Sequence, residues 1–123
     1  MPWNLNSERP IYFQIMERIT MDIISGIYKP GEKLPSVREL AQEAGVNPNT
    51  MQKSLSELER TGLLYSQRTS GRFITEDMTM IEKTKTDLAS EQIKEFLKKM
   101  EYIGFTKQAT IKLIEQLEKE EQS

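Results

Sequence analysis

Cysteine and histidine are both absent from this chain. Their absence excludes thiolate and imidazole metal sites, cysteine nucleophiles and any histidine-based triad. A disulfide framework is excluded as well, and a reducing cytosol suits such a composition. Long apolar runs are also missing. No stretch approaches the roughly 20 residues that a membrane-spanning helix requires. The first residues, from Met1 to Glu8, lack the basic start and apolar run of a secretory signal. We therefore expect a soluble, cytoplasmic protein with no membrane partner. Only carboxylate, lysine and serine chemistry remains for catalysis, and the acidic residues are spread over helix surfaces without a loop cluster. The chain is not expected to be an enzyme or to hold a metal or cofactor.

A strong excess of either charge is missing too. The 123 residues carry 17 Lys and Arg against 19 Asp and Glu, a net charge of −2. The balance is uneven along the chain: residues 1–75 hold nine cations and eight anions, residues 76–123 eight cations and eleven anions. The acidity belongs to the tail. Any affinity of the near-neutral head for a polyanion must come from local placement of cations and from pairing of two heads, not from bulk charge. The length allows one compact domain plus an appendage.

What is present is concentrated between Leu34 and Thr50. Ser36 with Glu39 three residues later writes a capping box, in which each side chain satisfies an orphan amide of the helix start. Val37, Leu40, Ala41 and Ala44 recur at helical spacing, and Gly45 ends the run where a left-handed residue costs least. Asn47 is a good N-cap, and Pro48 falls at the first helical position, where its missing amide is no loss. Two short helices joined by a glycine-containing turn form a helix-turn-helix, whose second helix enters the DNA major groove. An ordinary αα-hairpin would show the same caps, so the flanking segments decide between the two.

Those segments supply a scaffold and a wing. Ile11, Ile15, Ile19 and Ile23 fall every fourth position after Pro10, with Tyr12, Met16 and Ile24 alongside, and Ser25-Gly26 closes this first helix. The second helix of the motif runs from Pro48 to about Arg60, with Met51, Leu55 and Leu58 as its buried stripe. Residues 63–68 and 72–75 are strand-like runs flanking Thr69-Ser70-Gly71, a hairpin with its glycine in the loop and Arg68 and Arg72 bracketing the tip.

From Glu76 the chain becomes charged and glycine-poor. Ile93, Phe96, Leu97 and Met100 share one helix face, and Ser90 offers an internal helix start. Gly104 marks a break, Thr106 an N-cap, and Ile111, Leu113, Ile114 and Leu117 a final helix. Two such helices cannot bury their stripes on each other alone. Self-association through the tail is the leading expectation, docking back onto the head the other. The fold class is thus mainly α with a small β-hairpin: a winged helix-turn-helix over residues 1–75 and a two-helix dimerisation tail over 76–123.

Residues 10–75 resemble the GntR family of bacterial transcription regulators. The resemblance is carried by Pro10-Ile11-Tyr12-Phe13-Gln14-Ile15, by Ser25-Gly26, by the run from Lys29 to Ala41, by Val46-Asn47-Pro48-Asn49-Thr50 and by Leu58-Glu59-Arg60-Thr61-Gly62-Leu63. The Asn-Pro-Asn-Thr sequence at the recognition helix is similar to the YtrA subfamily, whose short helical tail serves for dimerisation. The 48 residues after Thr75 match such a tail in length and are too few for the large effector-binding domains of other subfamilies. One departure lies in the wing. Relatives carry a second glycine and a small residue before the phenylalanine, where this chain has Arg68-Thr69-Ser70-Gly71-Arg72-Phe73, a bulkier and more basic tip.

By position, Arg38 matches the family's DNA-contacting arginine. It lies in the first turn of its helix, where the helix dipole disfavours a cation. A bidentate contact to a guanine edge is its favoured role, a phosphate contact the second, and a surface salt bridge the bland account. Ser36 and Asn47 are caps first; Ser36 can also touch phosphate. Asn49 and Thr50, at the exposed start of the recognition helix, are the best candidates for base edges. Gln52 has the chemistry to pair with adenine and Lys53 to reach a guanine or phosphate, although a solvated face also accounts for both. Gly71 and Arg72 are assigned to the backbone or minor groove, and Tyr12, Tyr65 and Phe73 to packing. The expected function is that of a sequence-specific transcription regulator binding an inverted-repeat operator in double-stranded DNA as a homodimer, with repression by occlusion of polymerase. The alternative is a winged-helix module that binds protein. No small-molecule effector is assigned, because nothing polar converges near Met78, Met80 and Ile81.

Overall fold

The structure is a computed structural model and describes residues 3–122. Its elements in order are α1 (Ile11–Ile24), α2 (Val37–Ala44), α3 (Pro48–Thr61), β1 (Leu64–Gln67), β2 (Gly71–Ile74), α4 (Met78–Ile103) and α5 (Lys107–Gln122). The chain divides into two compact units, one ending at Thr84 and the other starting at Lys85.

The first unit is built on α1 and α3. Pro10 fixes φ at −52° just before α1 and makes no side-chain cap. Ile15, Ile19 and Ile23 of α1 are buried against Met51, Leu55 and Leu58 of α3, with Leu40 and Ala41 of α2 in the same core. Leu34, Leu63, Leu64, Ile74 and Ile81 close it. Two polar residues of α1 are buried as well, and each is satisfied. The Gln14 amide donates to the carbonyls of Asn6 (2.8 Å) and Arg9 (2.9 Å), and its own oxygen accepts from the Asn6 amide at 2.9 Å. Asp22 pairs with Arg18 at 3.1 Å, and the Arg18 guanidinium lies over the Trp3 ring. Gln14 thereby ties the N-terminal segment down onto α1.

The helix-turn-helix forms as its caps dictate. The Ser36 hydroxyl accepts from the Glu39 amide at 3.1 Å, and the Glu39 carboxylate accepts from the Ser36 amide at 3.4 Å. Gly45 stands at φ +71°, and the amide of Val46 donates back to the Ala41 carbonyl at 3.0 Å, which reverses the chain after α2. Asn47 caps α3, its side-chain oxygen accepting from the Asn49 amide at 2.8 Å. Ser54 is buried midway along α3 and shares its hydroxyl proton between the carbonyls of Thr50 (3.0 Å) and Tyr12 (3.2 Å). That bond pins the rotation of α3 relative to α1.

The wing pairs Leu64 with Ile74, Tyr65 with Phe73, Ser66 with Arg72 and Gln67 with Gly71. Gly71, expected inside the loop, is instead the first residue of β2 at φ +110°, and the loop is Arg68-Thr69-Ser70. The Ser70 amide donates to the Gln67 carbonyl at 3.0 Å, so a tight turn is followed by a residue that must take positive φ, as in three-residue hairpin loops with a glycine bulge. On the other side of β2, Lys33 bridges to Phe73 and the Leu34 amide donates to the Arg72 carbonyl at 2.9 Å. The segment before α2 is thus laced to the wing.

Asp77 caps α4 by accepting from the Met80 amide at 3.1 Å. The internal start expected at Ser90 is absent: α4 is continuous over 26 residues. No proline or glycine interrupts this stretch, and Ser90 is exposed to water, so its hydroxyl has no need to compete with the helix ladder. In the second unit, Gly104 at φ +106° ends α4 and Thr106 caps α5, accepting from the Ala109 amide at 3.1 Å. Thr110, buried, donates to the Thr106 carbonyl at 2.8 Å. No helix among the described residues is long and apolar enough to cross a membrane.

The turn between α2 and α3 gives a direct test of local backbone control. A Cβ at Gly45 would meet nothing within 4 Å, so Gly45→Ala should cost only the left-handed conformation, about 1–2 kcal/mol. Gly45→Asn should cost less, because asparagine tolerates that region. Urea unfolding of the two variants checks both the size and the order.

Candidate nucleic-acid interface

With Met51, Ser54, Leu55 and Leu58 turned inward, α3 presents Asn49, Gln52, Lys53 and Ser56 to solvent. Thr50 is half-buried. The expected site residues fall into one group on this face and one beside it, with Arg38 and Asn47 outside both. Asn49, Thr50 and Lys53 share a shallow groove with Ile11 and Tyr12 of α1. The Lys53 ammonium lies 4.3 Å from the centroid of the Tyr12 ring, so a cation–π contact holds this flexible side chain toward α1. Tyr12, assigned to packing, thereby also positions a cation on the exposed face.

The second group lies between the start of α2 and the wing. Lys33, Ser36, Arg68, Gly71 and Arg72 line an open groove there. Three cations against Glu39 give it a positive balance, suited to a phosphate backbone. Ser36 is committed to its capping box, and Asn47, outside both grooves, to its own cap. Arg38 lines neither groove. It is exposed on the first turn of α2, and among the described residues neither Arg38 nor Arg68 makes an ion pair. An exposed arginine at a helix start, where the dipole disfavours it, has an uncompensated charge to offer an anion.

Arg72 is different. Its side chain is only 17% exposed and is bound by Glu59 near the end of α3. The Glu59 carboxylate oxygen that accepts from Arg72 Nε also accepts from the Ser66 hydroxyl at 2.6 Å. A second arm of the guanidinium, Nη1, lies 3.4 Å from the side-chain oxygen of Gln52. The wing is therefore fastened to the recognition helix through charge, and Gln52 joins the wing group. Glu59 and Ser66 carried no sequence signal for this role. They lie seven residues apart, and only the register that sets Ser66 opposite Arg72 brings all three together.

The hydrogen bond from Ser66 holds the Glu59 carboxyl below its ordinary range; partial burial opposes this, and the bond and charge of Arg72 reinforce it. On the α1 side of the unit, burial and the nearby carboxylate of Asp22 push the Tyr28 hydroxyl up.

The fold that carries these grooves has relatives among known proteins. Residues 11–74 match the family model for bacterial regulatory proteins of the gntR family. The chain is 41% identical over 99 residues to the HTH-type transcriptional repressor YtrA of Bacillus subtilis, covering 80% of this chain and 76% of that protein. It is similar to a GntR family transcriptional regulator from Listeria monocytogenes, with a TM-score of 0.85, 38% identity and coverage of 91% and 98% of the two chains. The DNA-binding domain of AraR in complex with operator ORE1 superposes with a TM-score of 0.53 at 36% identity, covering 61% of this chain and 94% of that one.

The depressed carboxyl of Glu59 fixes a sign. A group whose acidity is strengthened by folding stabilises the native state above its unfolded pKa, and that stabilisation disappears as pH falls through the folded value. Glu59→Gln should therefore be less stable than the parent chain at neutral pH, and the difference should shrink below about pH 4.5, the ordinary value for this carboxyl. Thermal unfolding of both proteins across pH 3–7 measures it.

Proposed function

The chain belongs to the GntR family of bacterial regulatory proteins, DNA-binding transcription regulators, in its YtrA-like group, and from that premise we propose that it is a homodimeric repressor of an inverted-repeat operator. Two copies join through α4 and α5. Each lays the start of α3 into the major groove and sets its wing groove against the flanking backbone. Arg38, Asn49 and Thr50 face base edges, Ser36 and Arg72 line the backbone groove, and Lys53 and Gln52 complete the face. Gly71 admits the wing tip, with the positive φ that lets β2 begin there. Occlusion of polymerase by the bound dimer gives repression.

The observation that carries the dimer is the apolar surface left on the tail. Ile93 is 56% exposed, Ile114 49% and Leu117 52%, and Phe96, Ile103 and Ile111 are exposed beside them on α4 and α5. These residues recur at helical spacing, so each helix carries an apolar stripe that a single copy leaves facing water. Exposed apolar stripes of this kind support an association site. A second copy supplies the matching stripe, as closed two-fold assemblies do. Dimerisation also answers the near-neutral charge of the head: one recognition helix reads too few base pairs, whereas two linked heads gain by avidity.

The repressor YtrA and the operator-bound AraR domain support the DNA-binding part of this reading. A charge placed on the tail tests the rest. Leu117→Glu combined with Ile93→Glu should convert the protein from dimer to monomer in sedimentation while circular dichroism still shows the folded head. Operator affinity should then fall by about a hundredfold or more. Arg38→Ala should leave the dimer intact and weaken binding by about tenfold or more, the scale of one bidentate base contact. A dimer that survives both tail charges, or undiminished DNA binding by Arg38→Ala, would contradict the assignment.

A further inference from the structure

We propose that Glu59, acting through Arg72, turns Gln52 into a donor-only reader that selects guanine over adenine at its base pair. The inference rests on the DNA-binding reading above and names a specificity determinant within it. A guanidinium has only N–H donors. With Arg72 Nη1 3.4 Å from Gln52, the side-chain oxygen of that glutamine must face the arginine, because its amino group there would oppose donor with donor. The Gln52 amino group then points away from the wing.

A free glutamine reads adenine bidentately, its oxygen accepting from N6 and its amino group donating to N7. Once its oxygen is turned toward Arg72, Gln52 offers the major groove two N–H donors. Guanine presents two adjacent acceptors there, N7 and O6, while adenine presents one acceptor beside a donor. Guanine is therefore favoured and the usual adenine match is lost.

Arg72 can hold the amide this way only because it is itself held. Glu59 accepts from its Nε, and the same carboxylate is fixed by the Ser66 hydroxyl at 2.6 Å. The exposure of Arg72 is low, whereas Gln52 is exposed at the face where DNA docks. Glu59 is thus a positioning residue: it lies behind the interface and acts through two side chains. The sequence expectation that Gln52 pairs with adenine treats the glutamine as free of Arg72.

The test is selection of binding sites from a random-duplex pool by the full chain and by four variants. Gln52→Ala identifies the base pair concerned, as the one position of the half-site whose preference flattens. At that pair the parent chain should prefer guanine over adenine by about tenfold. Glu59→Ala and Arg72→Met should abolish or reverse that preference while the other positions of the motif keep theirs. A uniform loss of affinity by Arg72→Met reflects a phosphate contact and leaves the ratio as the readout. If Glu59→Ala does not fold, Ser66→Ala, which loosens the same carboxylate, should erode the ratio in the same direction. A parent preference for adenine, or a guanine preference unmoved in the folded variants, overturns the role of Glu59 and leaves the regulator standing. Failure of the parent chain to enrich any sequence overturns the regulator itself, and this inference with it.

Discussion

Everything on the exposed face of α3 and the wing beside it depends on how α3 is seated. Met51, Leu55 and Leu58 are buried against α1, and the hydroxyl of Ser54 reaches the Tyr12 carbonyl within that packing. Burying three large apolar side chains is worth roughly 1.5–3 kcal/mol each, enough to dominate any preference of the exposed face. The buried Ser54 adds something hydrophobic burial cannot supply. Its bond to the Tyr12 carbonyl has a direction, so a slide or roll of α3 breaks that link to α1 and leaves the hydroxyl only the Thr50 carbonyl of its own helix. The residues left on the other side are then fixed in place, and they are the ones with recognition chemistry.

The supports around α3 divide the work. On one flank Tyr12 draws Lys53 toward α1; on the other, Glu59 draws Arg72 and the wing toward the end of α3. The first is a loose contact on a solvated side chain. The second is a hydrogen-bonded ion pair of low exposure, with Ser66 as a third member, so the wing is held as part of the same body as the recognition helix. The N-terminal segment is likewise fastened through Gln14 and through the Arg18 that stacks on Trp3. A chain with almost balanced charge concentrates its useful cations by such local fixing, since no excess of positive charge draws it to DNA.

Much of this was legible in the sequence because it is local. The Ser36–Glu39 box, Gly45, the Asn47 cap and the stripe Met51, Leu55, Leu58 are decided within a few residues, and the structure has each of them. The family resemblance over residues 10–75 extended that reading to the wing. What escaped was decided by contacts distant in sequence or by the lack of a competitor. Gly71 begins β2 because the register sets it opposite Gln67, which the glycine's position in the text does not reveal. Ser90 begins nothing, since α4 already runs from the Asp77 cap with no breaker before Gly104. Gln14 and Asp22 occupy buried positions that a count of isoleucines cannot supply. The link from Glu59 to Arg72 spans 13 residues and a hairpin.

The central claim is that two recognition helices, held by paired tails, read two half-sites in a fixed geometric relation. The most direct measurement is affinity for a duplex bearing the selected inverted repeat, followed as base pairs are inserted between its halves. An insertion of about five base pairs turns one half-site to the opposite side of the duplex, half of a 10–10.5 base-pair turn. The account predicts that affinity then drops to that of a single half-site, with two chains bound per duplex at the natural spacing. Affinity indifferent to the insertion, or one chain bound per intact repeat, would show heads acting independently and would contradict it.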